Sequence, residues 1–275
     1  MTISAGHSRF EGVAKIIRFN TRFYAVSVLG VVAFVLLLIL IELPVGLRVA
    51  VMMVMALLLF WITSSVLVSW YVYDYAGVTR WEWMRSSLRM GPLRWANIHA
   101  GLDESTASLR RLLPGTDGVV VDIYDPHTMT EPSIARARRM YPATEPFAIG
   151  SAKALPLPDA DRDAVFLLFA AHELRDAVER TQLLREARRI LKSDGRVFMV
   201  EHLRDLPNFI AFGPGFFHFQ SRRSWLRSIR EADCEVAEHH SVTPFVRCFM
   251  LRKVTTLQPS RIGGPMRECP RESKA

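Results

Sequence analysis

The chain contains little cysteine, and its few cysteines are not arranged as metal ligands. Three of its 275 residues are cysteine, Cys234, Cys248 and Cys269, and none has a partner at the short spacing of a zinc site. We therefore expect reduced thiols in a cytosolic domain rather than a disulfide framework. His239 and His240 stand in a late strand of alternating polarity, where surface positions are common. The sequence thus predicts no metal site.

Two stretches of the chain lack charge altogether. Residues 24–41 (YAVSVLGVVAFVLLLILI) and residues 49–73 (VAVMMVMALLLFWITSSVLVSWYVY) contain no Asp, Glu, Lys or Arg. A run of about 18 uncharged apolar residues is long enough to cross a bilayer as a helix, and the short connection holds Pro44 and Gly46. We predict a transmembrane helical hairpin over residues 24–73.

These apolar runs fit a membrane better than a signal peptide or a soluble core. The first run is too long for a cleaved signal peptide, lacks a small-residue cleavage site and is followed by a second run. A buried hairpin in a soluble protein remains the alternative, although helices that are apolar on every face usually contact lipid.

The distribution of basic residues predicts the orientation. The chain has 35 Lys and Arg against 27 Asp and Glu, a formal net charge of +8. Four basic residues precede the first run, four follow the second, and one lies between them: Arg9, Lys15, Arg18, Arg22, Arg80, Arg85, Arg89, Arg94 and Arg48. Basic flanks stay on the cytoplasmic side, so we expect a multi-pass protein of the inner (cytoplasmic) membrane whose soluble domain lies in the cytoplasm. No nucleic-acid recognition motif accompanies the charge, and membrane lipids are the expected partner.

The sequence divides into five predicted segments and shows no internal repeat. They are a basic N-terminal segment (1–23), the hairpin (24–73), a juxtamembrane linker (74–93), an α/β domain (94–253) and a tail (254–275). The linker holds two tryptophans and a methionine and is expected to be an interfacial helix. The tail is polar and rich in Pro, Gly and Arg, and is expected to be disordered.

Short apolar strands alternate with helix-like segments after residue 94, which predicts a mostly parallel sheet covered by helices on both faces. The predicted strands are RWANIHA, GVVVDIY, PFAIGSA, DAVFLLFAA, GRVFMVEHL, CEVAEHHSV and VRCFMLRK. The predicted helices cover residues 103–114, 131–141, 176–192 and 222–233. The order is five βα units followed by a closing pair of strands.

Three stretches of this region carry a family likeness. LLREARRILKSDGRVFMVEH (183–202) is a helix with a basic end, a Lys-Ser-Asp-Gly turn and a buried strand, and AKALPLPDADRDAVF (152–166) and DGVVVDIYDP (117–126) accompany it. Residues 95–253 thereby resemble the class I methyltransferases that use S-adenosylmethionine (SAM) and act on small molecules or lipids. The resemblance implies an α/β, Rossmann-like fold with a mostly parallel seven-stranded sheet, and SAM as cofactor.

The stretch WANIHAGLDES (95–105) departs from the family's glycine-rich turn. The family has an acidic residue followed by Gly-x-Gly-x-Gly, whereas Asn97 replaces the acid, His99 the first glycine and Asp103 the third. Gly101 alone is kept, and it allows the backbone to approach a cofactor closely. The resemblance implies that Asn97, Gly101 and Asp103 contact SAM, Asp103 at the positively charged sulfonium or amino group. The alternative for Asp103 is a cap of the following helix.

Three further positions match cofactor-binding positions of the family. Asp122 ends the second strand, where the family's carboxylate binds the ribose; its alternative role is to cap the next helix. Ser151 stands where the family commonly has Asp, and the backbone amide of Ala152 is expected to contact adenine.

Two histidines follow strands on the side where a ligand binds. His172 and Glu173 follow the fourth strand, and Glu201 and His202 end the fifth. Methyl transfer needs a base only when the accepting atom carries a proton that must leave. His172 is the first candidate base and His202 the second. The alternative for each is a polar residue at a helix start or in a loop, without a catalytic role.

The segment LRDLPNFIAFGPGFFHFQSRRSW (203–225) combines five phenylalanines with Pro and Gly. Such a segment suits a lid over an apolar substrate or a stretch that dips into the membrane. Packing against the hairpin is the alternative.

The resulting hypothesis is a membrane-anchored SAM-dependent methyltransferase with a small apolar or lipid-like acceptor. The alternative is a catalytically inactive methyltransferase-like binding or scaffold protein at the membrane. The altered glycine turn favours the inactive protein, whereas Asp122 and the two histidines favour the enzyme.

Overall fold

The sheet contains all seven predicted strands. In chain order they are β1 (Arg94–His99), β2 (Asp117–Asp122), β3 (Ala148–Ile149), β4 (Arg162–Leu168), β5 (Leu191–His202), β6 (Cys234–Thr243) and β7 (Val246–Lys253). Their spatial order is β3-β2-β1-β4-β5-β7-β6. Strands β1 to β5 pair in parallel, and β7 runs antiparallel between β5 and β6. This confirms the predicted Rossmann-like fold. The crevice for a ligand lies at the carboxyl ends of β1 and β4, where the strand order reverses.

This computed structural model describes residues 10–88, 93–143 and 147–254. Predictions for the start of the basic segment, Arg89, the disordered tail from residue 255 and Cys269 lie outside the described residues. The helices are α1 (Glu11–Phe19), α2 (Thr21–Leu40), α3 (Val45–Ser69), α4 (Thr106–Leu112), α5 (Pro132–Met140), α6 (Ala177–Ile190), α7 (Leu206–Phe212) and α8 (Arg222–Glu231).

Alternate side chains of β4 pack into two cores, one on each face of the sheet. Val165 and Leu167 pack with residues of α6 and α8, whereas Ala164 and Phe166 pack with residues of α4. The side chains of a strand point to opposite faces in turn, so a strand covered on both faces is apolar throughout. The uninterrupted apolar run of β4 in the sequence therefore reflects its central position.

The described part of the juxtamembrane linker, residues 74–88 and 93, belongs to the second core and contains no interfacial helix. It forms two short 3-10 turns, Val78–Arg80 and Glu82–Ser87. Val78, Trp81 and Met84 are fully buried there and pack with the α4 face of the sheet. The apolar residues that suggested contact with lipid contact the protein core instead.

The hairpin helices α2 and α3 are long and apolar enough to cross a membrane, and they are candidate membrane spans. Mean hydropathy is 2.8 for α2 and 2.4 for the span that begins with α3. No residue of α2 is buried, so its apolar side chains do not form a protein core. A helix of 20 residues extends about 30 Å, the thickness of the hydrocarbon layer.

Helix α1 is held at both ends by charged side chains. The Asp74 carboxylate, just after α3, accepts hydrogen bonds from the backbone amides of Gly12 (2.7 Å) and Val13 (2.9 Å). At the other end the Arg136 guanidinium donates to the carbonyl oxygen of Phe19 (2.8 Å). A carboxylate at the amino end and a cation at the carboxyl end both complement the helix dipole. They fix α1 between the hairpin and α5.

We predict that Asp74→Ala loosens α1. Loss of a helix cap costs about 0.5–2 kcal/mol, so hydrogen exchange of the α1 amides should accelerate by about twofold to thirtyfold. Mass spectrometry of the protein in detergent measures the exchange. Asp205→Ala is the matched control, because Asp205 caps α7 by accepting from the amide of Asn208. Equal exchange of α1 in both variants would contradict the capping role.

Candidate active site

A cavity of about 350 Å³ lies between the crevice of the sheet and the hairpin. The hairpin side contributes Phe23, Tyr24 and Ser65, and the sheet side contributes His172 and His202. Cavities of roughly 300–1,000 Å³ hold small-molecule ligands. Apolar and aromatic side chains form much of the wall, and titratable groups form the floor at the strand ends.

His202 is a neutral histidine held by hydrogen bonds at both ring nitrogens. Its Nδ1 lies 2.9 Å from the carbonyl oxygen of Phe245, which can only accept, so Nδ1 carries the proton. Its Nε2 therefore accepts from the hydroxyl of Tyr73, at 2.9 Å. Burial lowers the pKa of His202 to about 4. The ring stacks between Phe169 and Phe219, with centroids 5.1 and 4.9 Å away.

Phe169 adopts a left-handed backbone conformation beside this histidine. Its φ is +54°, an arrangement that costs a bulky residue roughly 1–3 kcal/mol and persists only where its surroundings impose it. Its amide donates to the carbonyl of Val200 at 2.9 Å. The hydrogen bond and the stacking on His202 hold the ring at the cavity wall.

His172 is a charged histidine between two carboxylates. Its Nδ1 lies 2.6 Å from Glu201 Oε2, and its Nε2 lies 3.2 Å from Glu173 Oε1. Burial disfavours the positive charge, but the two carboxylates outweigh burial and raise the pKa of His172 to about 10. Burial likewise opposes ionisation of Glu173, yet its hydrogen bond to His172 lowers the Glu173 pKa. The role of either histidine as a base stays a prediction, and for His172 it requires loss of the Nε2 proton.

We predict that these two histidines titrate at opposite extremes. Because the folded pKa of His172 exceeds the unfolded value of 6.5, its ion pairs stabilise the fold fully below pH 6.5, and this contribution is lost as the pH rises through about 10. Because the folded pKa of His202 is depressed, protonation destabilises the fold as the pH falls from 6.5 toward 4.

NMR of histidine-labelled protein in detergent, with a chelator to remove metal ions, measures the pKa values of His172 and His202. The chain has eight histidines, so each resonance must be assigned. The resonance that stays protonated at pH 8 should disappear in His172→Gln. If every histidine titrates between pH 6 and 7, the two charge assignments are wrong.

Gly101 and Asp122 meet at the ends of β1 and β2, and their predicted contacts with SAM stay predictions. The amide of Gly101, whose φ is +94°, donates to Asp122 Oδ1 at 3.0 Å, and so does the amide of Tyr124 at 2.9 Å. The other carboxylate oxygen accepts from Arg138 of α5 at 2.5 Å. Asp122 is thus 5 % exposed and fully engaged by groups of this chain.

Two side chains fill the space beside Gly101. A Cβ on Gly101 would lie 2.9 Å from the Tyr124 ring and 3.1 Å from the Arg138 side chain. The Arg138 guanidinium stacks over the Tyr124 ring, 4.4 Å from its centroid. The absence of a side chain at Gly101 therefore accommodates Tyr124 and Arg138 in this state.

His99, in the position of the family's first glycine, is buried under the turn. Neither ring nitrogen has a hydrogen-bond partner among the described residues, and Nδ1 lies 3.6 Å from Asp122 Oδ1. Burial outweighs the attraction of Asp122 and lowers the pKa of His99. A neutral ring at this position helps to bury Asp122.

Asn97 and Asp103 organise the turn into α4. The Asn97 amide donates to the hydroxyls of Ser105 (2.9 Å) and Thr106 (2.8 Å). Asp103 Oδ1 accepts from the amides of the same two residues, at 3.1 and 2.9 Å. Asp103 therefore occupies the capping role that was its alternative, and its cofactor contact stays a prediction. Glu104, next in sequence, lines the cavity instead and is exposed to solvent.

Ser151 and Ala152 lie at the end of β3, away from the lining of the cavity. The Ser151 hydroxyl accepts from the amide of Ala154 at 3.1 Å and closes its own turn. Ala152 is buried. Their proposed contacts with adenine stay predictions.

The segment 203–225 both packs on the hairpin and lines the cavity. Ser64 of α3 donates to the carbonyl of Ile210 at 3.2 Å, and a Cβ on Gly213 would lie 2.6 Å from the Trp61 ring. Packing against the hairpin, the predicted alternative, therefore describes α7. Phe219, farther along, lines the cavity wall.

One methyltransferase family model matches part of the α/β domain. Residues 114–199 match the family described as "Methyltransferase domain", which begins after the altered glycine turn. No curated protein matches the chain in sequence. The family match supports SAM as the cofactor.

Several solved structures are similar to this chain at low sequence identity. A protein of Pyrococcus horikoshii OT3 is 16 % identical, with 64 % of this chain and 89 % of that chain covered and a TM-score of 0.49. A SAM-dependent methyltransferase from Aquifex aeolicus is 16 % identical, with coverages of 63 % and 92 % and a TM-score of 0.46. A SAM-dependent methyltransferase from Leishmania major is 18 % identical, with coverages of 66 % and 73 % and a TM-score of 0.46.

The residues present fit SAM if Arg138 and Tyr124 move away from Asp122 and Gly101. The carboxylate of Asp122 stands at the end of β2, where ribose hydroxyls need an acceptor, but Arg138 and Tyr124 occupy the adjoining space. Arg138 is about one-third exposed and belongs to α5, outside the sheet, so SAM binding requires this side chain to turn away from Asp122. The sequence analysis identified neither Arg138 nor Tyr124. Arg138 lies on a helix 16 positions after Asp122, and nothing in the local sequence indicates a contact between the two.

Proposed function

We propose that this protein is a membrane-anchored, SAM-dependent methyltransferase that modifies a small apolar or lipid-like acceptor. The observation that carries the proposal is the composition of the cavity. Its walls are shared between helices apolar enough to cross a membrane and the strand ends at which the fold binds ligands.

The contents of the cavity favour an acceptor with an apolar body and a polar end. Phe19 and Phe23 line it from the α1–α2 side, and Phe169 and Phe219 line it near the sheet. An apolar molecule enters such a cavity with a gain of roughly 25 cal/mol per Å² of buried apolar surface. The floor, with His172 and the other titratable groups, suits the polar end that receives the methyl group.

SAM supplies a methyl group on a positively charged sulfur, and the protein's task is to align it with the acceptor. Asp122 would hold the ribose once Arg138 has released it. Glu104 would place a carboxylate in the cavity near the positive charge. Tyr73 and His202 would orient the acceptor's polar end, and His202 Nε2 would receive a proton through the Tyr73 hydroxyl if the accepting atom carries one.

We predict that Arg138→Met tightens SAM binding. The substitution frees Asp122 and removes a cation from the path of a positively charged cofactor, so affinity should rise by about tenfold, which corresponds to about 1.4 kcal/mol. Calorimetry of the detergent-solubilised full chain measures the affinity. Arg139→Met is the matched control, because Arg139 is the exposed neighbour on the same helix and should leave the affinity unchanged.

The opposite outcome identifies the alternative function. If the wild-type protein and Arg138→Met both fail to bind millimolar SAM while folded, the protein is a non-catalytic relative that uses this fold for binding at the membrane. If Arg138→Met binds SAM more weakly than the wild type, Arg138 is itself a cofactor contact.

The membrane anchor has an independent test. We expect a reporter fused after Gly46 and a reporter fused at the C-terminus to lie on opposite sides of the membrane, because the basic flanks favour cytoplasmic ends for the hairpin. Reporters on one side would rule out the hairpin as two membrane spans.

A further inference from the structure

We propose that His172, Glu173 and His218 bind one divalent transition-metal ion at the floor of the cavity. The sequence predicted no metal site, because His172 and His218 come from distant parts of the chain and show no ligand spacing. The fold brings them together: the turn after β4 supplies the first two residues, and the segment before α8 supplies the third.

The ligand atoms have the separation that one ion requires. Each residue offers an atom within 4.8 Å of the other two. His172 Nε2 and His218 Nε2 lie 3.2 and 3.9 Å from the same oxygen, Glu173 Oε1. Two atoms that each lie about 2.0–2.2 Å from one ion stand about 3–4 Å apart. Binding therefore needs small side-chain adjustments and the release of the proton on His172 Nε2.

The first ligand is already oriented by a second carboxylate. Glu201, which is fully buried, accepts from His172 Nδ1 at 2.6 Å. Its other oxygen accepts from the amides of Ala171 (3.0 Å) and His172 (3.2 Å), which fixes its position. A carboxylate on one imidazole nitrogen commonly directs the other nitrogen to a metal ion. His172 Nε2 therefore faces Glu173 and the cavity.

Glu173 has an oxygen that nothing else uses. Its Oε2 is buried and has no hydrogen-bond partner among the described residues, although the other oxygen contacts His172. An unsatisfied buried carboxylate oxygen is costly. A bound cation beside this carboxylate would offset that cost.

His218, the second imidazole ligand, must exchange the partner of its Nδ1 atom before its Nε2 atom can bind an ion. The Arg175 guanidinium contacts His218 Nδ1, so Nδ1 acts as an acceptor in this state. For Nε2 to bind an ion, Nδ1 must carry the proton and donate it, and Glu131 Oε1 lies 3.7 Å away as the acceptor. Arg175 is about one-third exposed and already pairs with Glu131. A modest shift of Arg175 exchanges these partners.

The donor set determines the class of ion. Two imidazoles and one carboxylate favour Zn²⁺, Fe²⁺ or Co²⁺, whereas Mg²⁺ and Ca²⁺ prefer oxygen ligands throughout. Three protein ligands leave a position open to the cavity, as in catalytic rather than structural sites. If the proposed methyltransferase function holds, that position would bind an oxygen of the acceptor and lower the pKa of a hydroxyl there.

Cobalt titration of the full chain in detergent, without SAM or acceptor, tests the site. We expect one equivalent of Co²⁺ to bind, with visible absorption bands of a four- or five-coordinate ion. Glu173→Gln, which preserves shape, and His218→Ala should each weaken binding by at least about tenfold. The double variant His239→Ala/His240→Ala is the control, because those exposed histidines lie on β6, and it should bind as the wild type does.

The result does not depend on methyl transfer. Cobalt binding that is lost in Glu173→Gln supports the site even if SAM never binds. If the wild type shows no such bands, or if Glu173→Gln retains full affinity and an unchanged spectrum while folded, the site does not exist as proposed.

Discussion

The hydrogen bond between the Tyr73 hydroxyl and His202 Nε2 joins the apolar hairpin to the sheet, and the position of the cavity depends on it. Tyr73 lies just beyond α3, and the next residue, Asp74, caps α1. One short segment therefore fixes both helices that cover the strand ends. Because His202 donates from Nδ1 to a backbone carbonyl, its tautomer is set, and Tyr73 has a single acceptor to find. A buried, fully satisfied polar pair of this kind specifies one arrangement of the surrounding elements.

The fold could be predicted from the sequence more completely than the site. The apolar run of β4 and the basic end of α6 could be predicted, since burial and helix ends show in a few neighbouring residues. The predicted Lys-Ser-Asp-Gly turn lies instead within β5, where the pairing with β4 is irregular. The prediction of an interfacial helix in the linker was wrong. Apolar residues such as Trp81 and Met84 suit both a lipid surface and a protein core, and the sequence alone does not distinguish the two. Arg138 and His218 were missed, because each acts on residues far away in the sequence and only the folded chain shows the contact.

The two histidines at the floor of the cavity, His172 and His202, have similar positions in the sequence but opposite pKa shifts. Each follows or ends a strand at the same edge of the sheet, yet one stands between two carboxylates and the other between two phenylalanine rings. Charged neighbours hold His172 positive, and burial keeps His202 neutral. The altered glycine turn also forms one connected arrangement. His99 of the turn packs beside Asp122, and Arg138 binds the same carboxylate from α5. The histidine in place of the family's first glycine is therefore part of the environment that buries Asp122.

The transfer of a labelled methyl group tests the central claim most directly. The full chain is reconstituted in vesicles with a lipid extract from its source and given SAM labelled at the methyl group, with Asp122→Asn as the control. The proposed function predicts that label moves into the organic phase with the wild type and remains in the aqueous phase with Asp122→Asn. Label that stays in the aqueous phase with both proteins, or moves equally with both, would contradict a methyltransferase that binds SAM at Asp122 and draws its acceptor from the membrane.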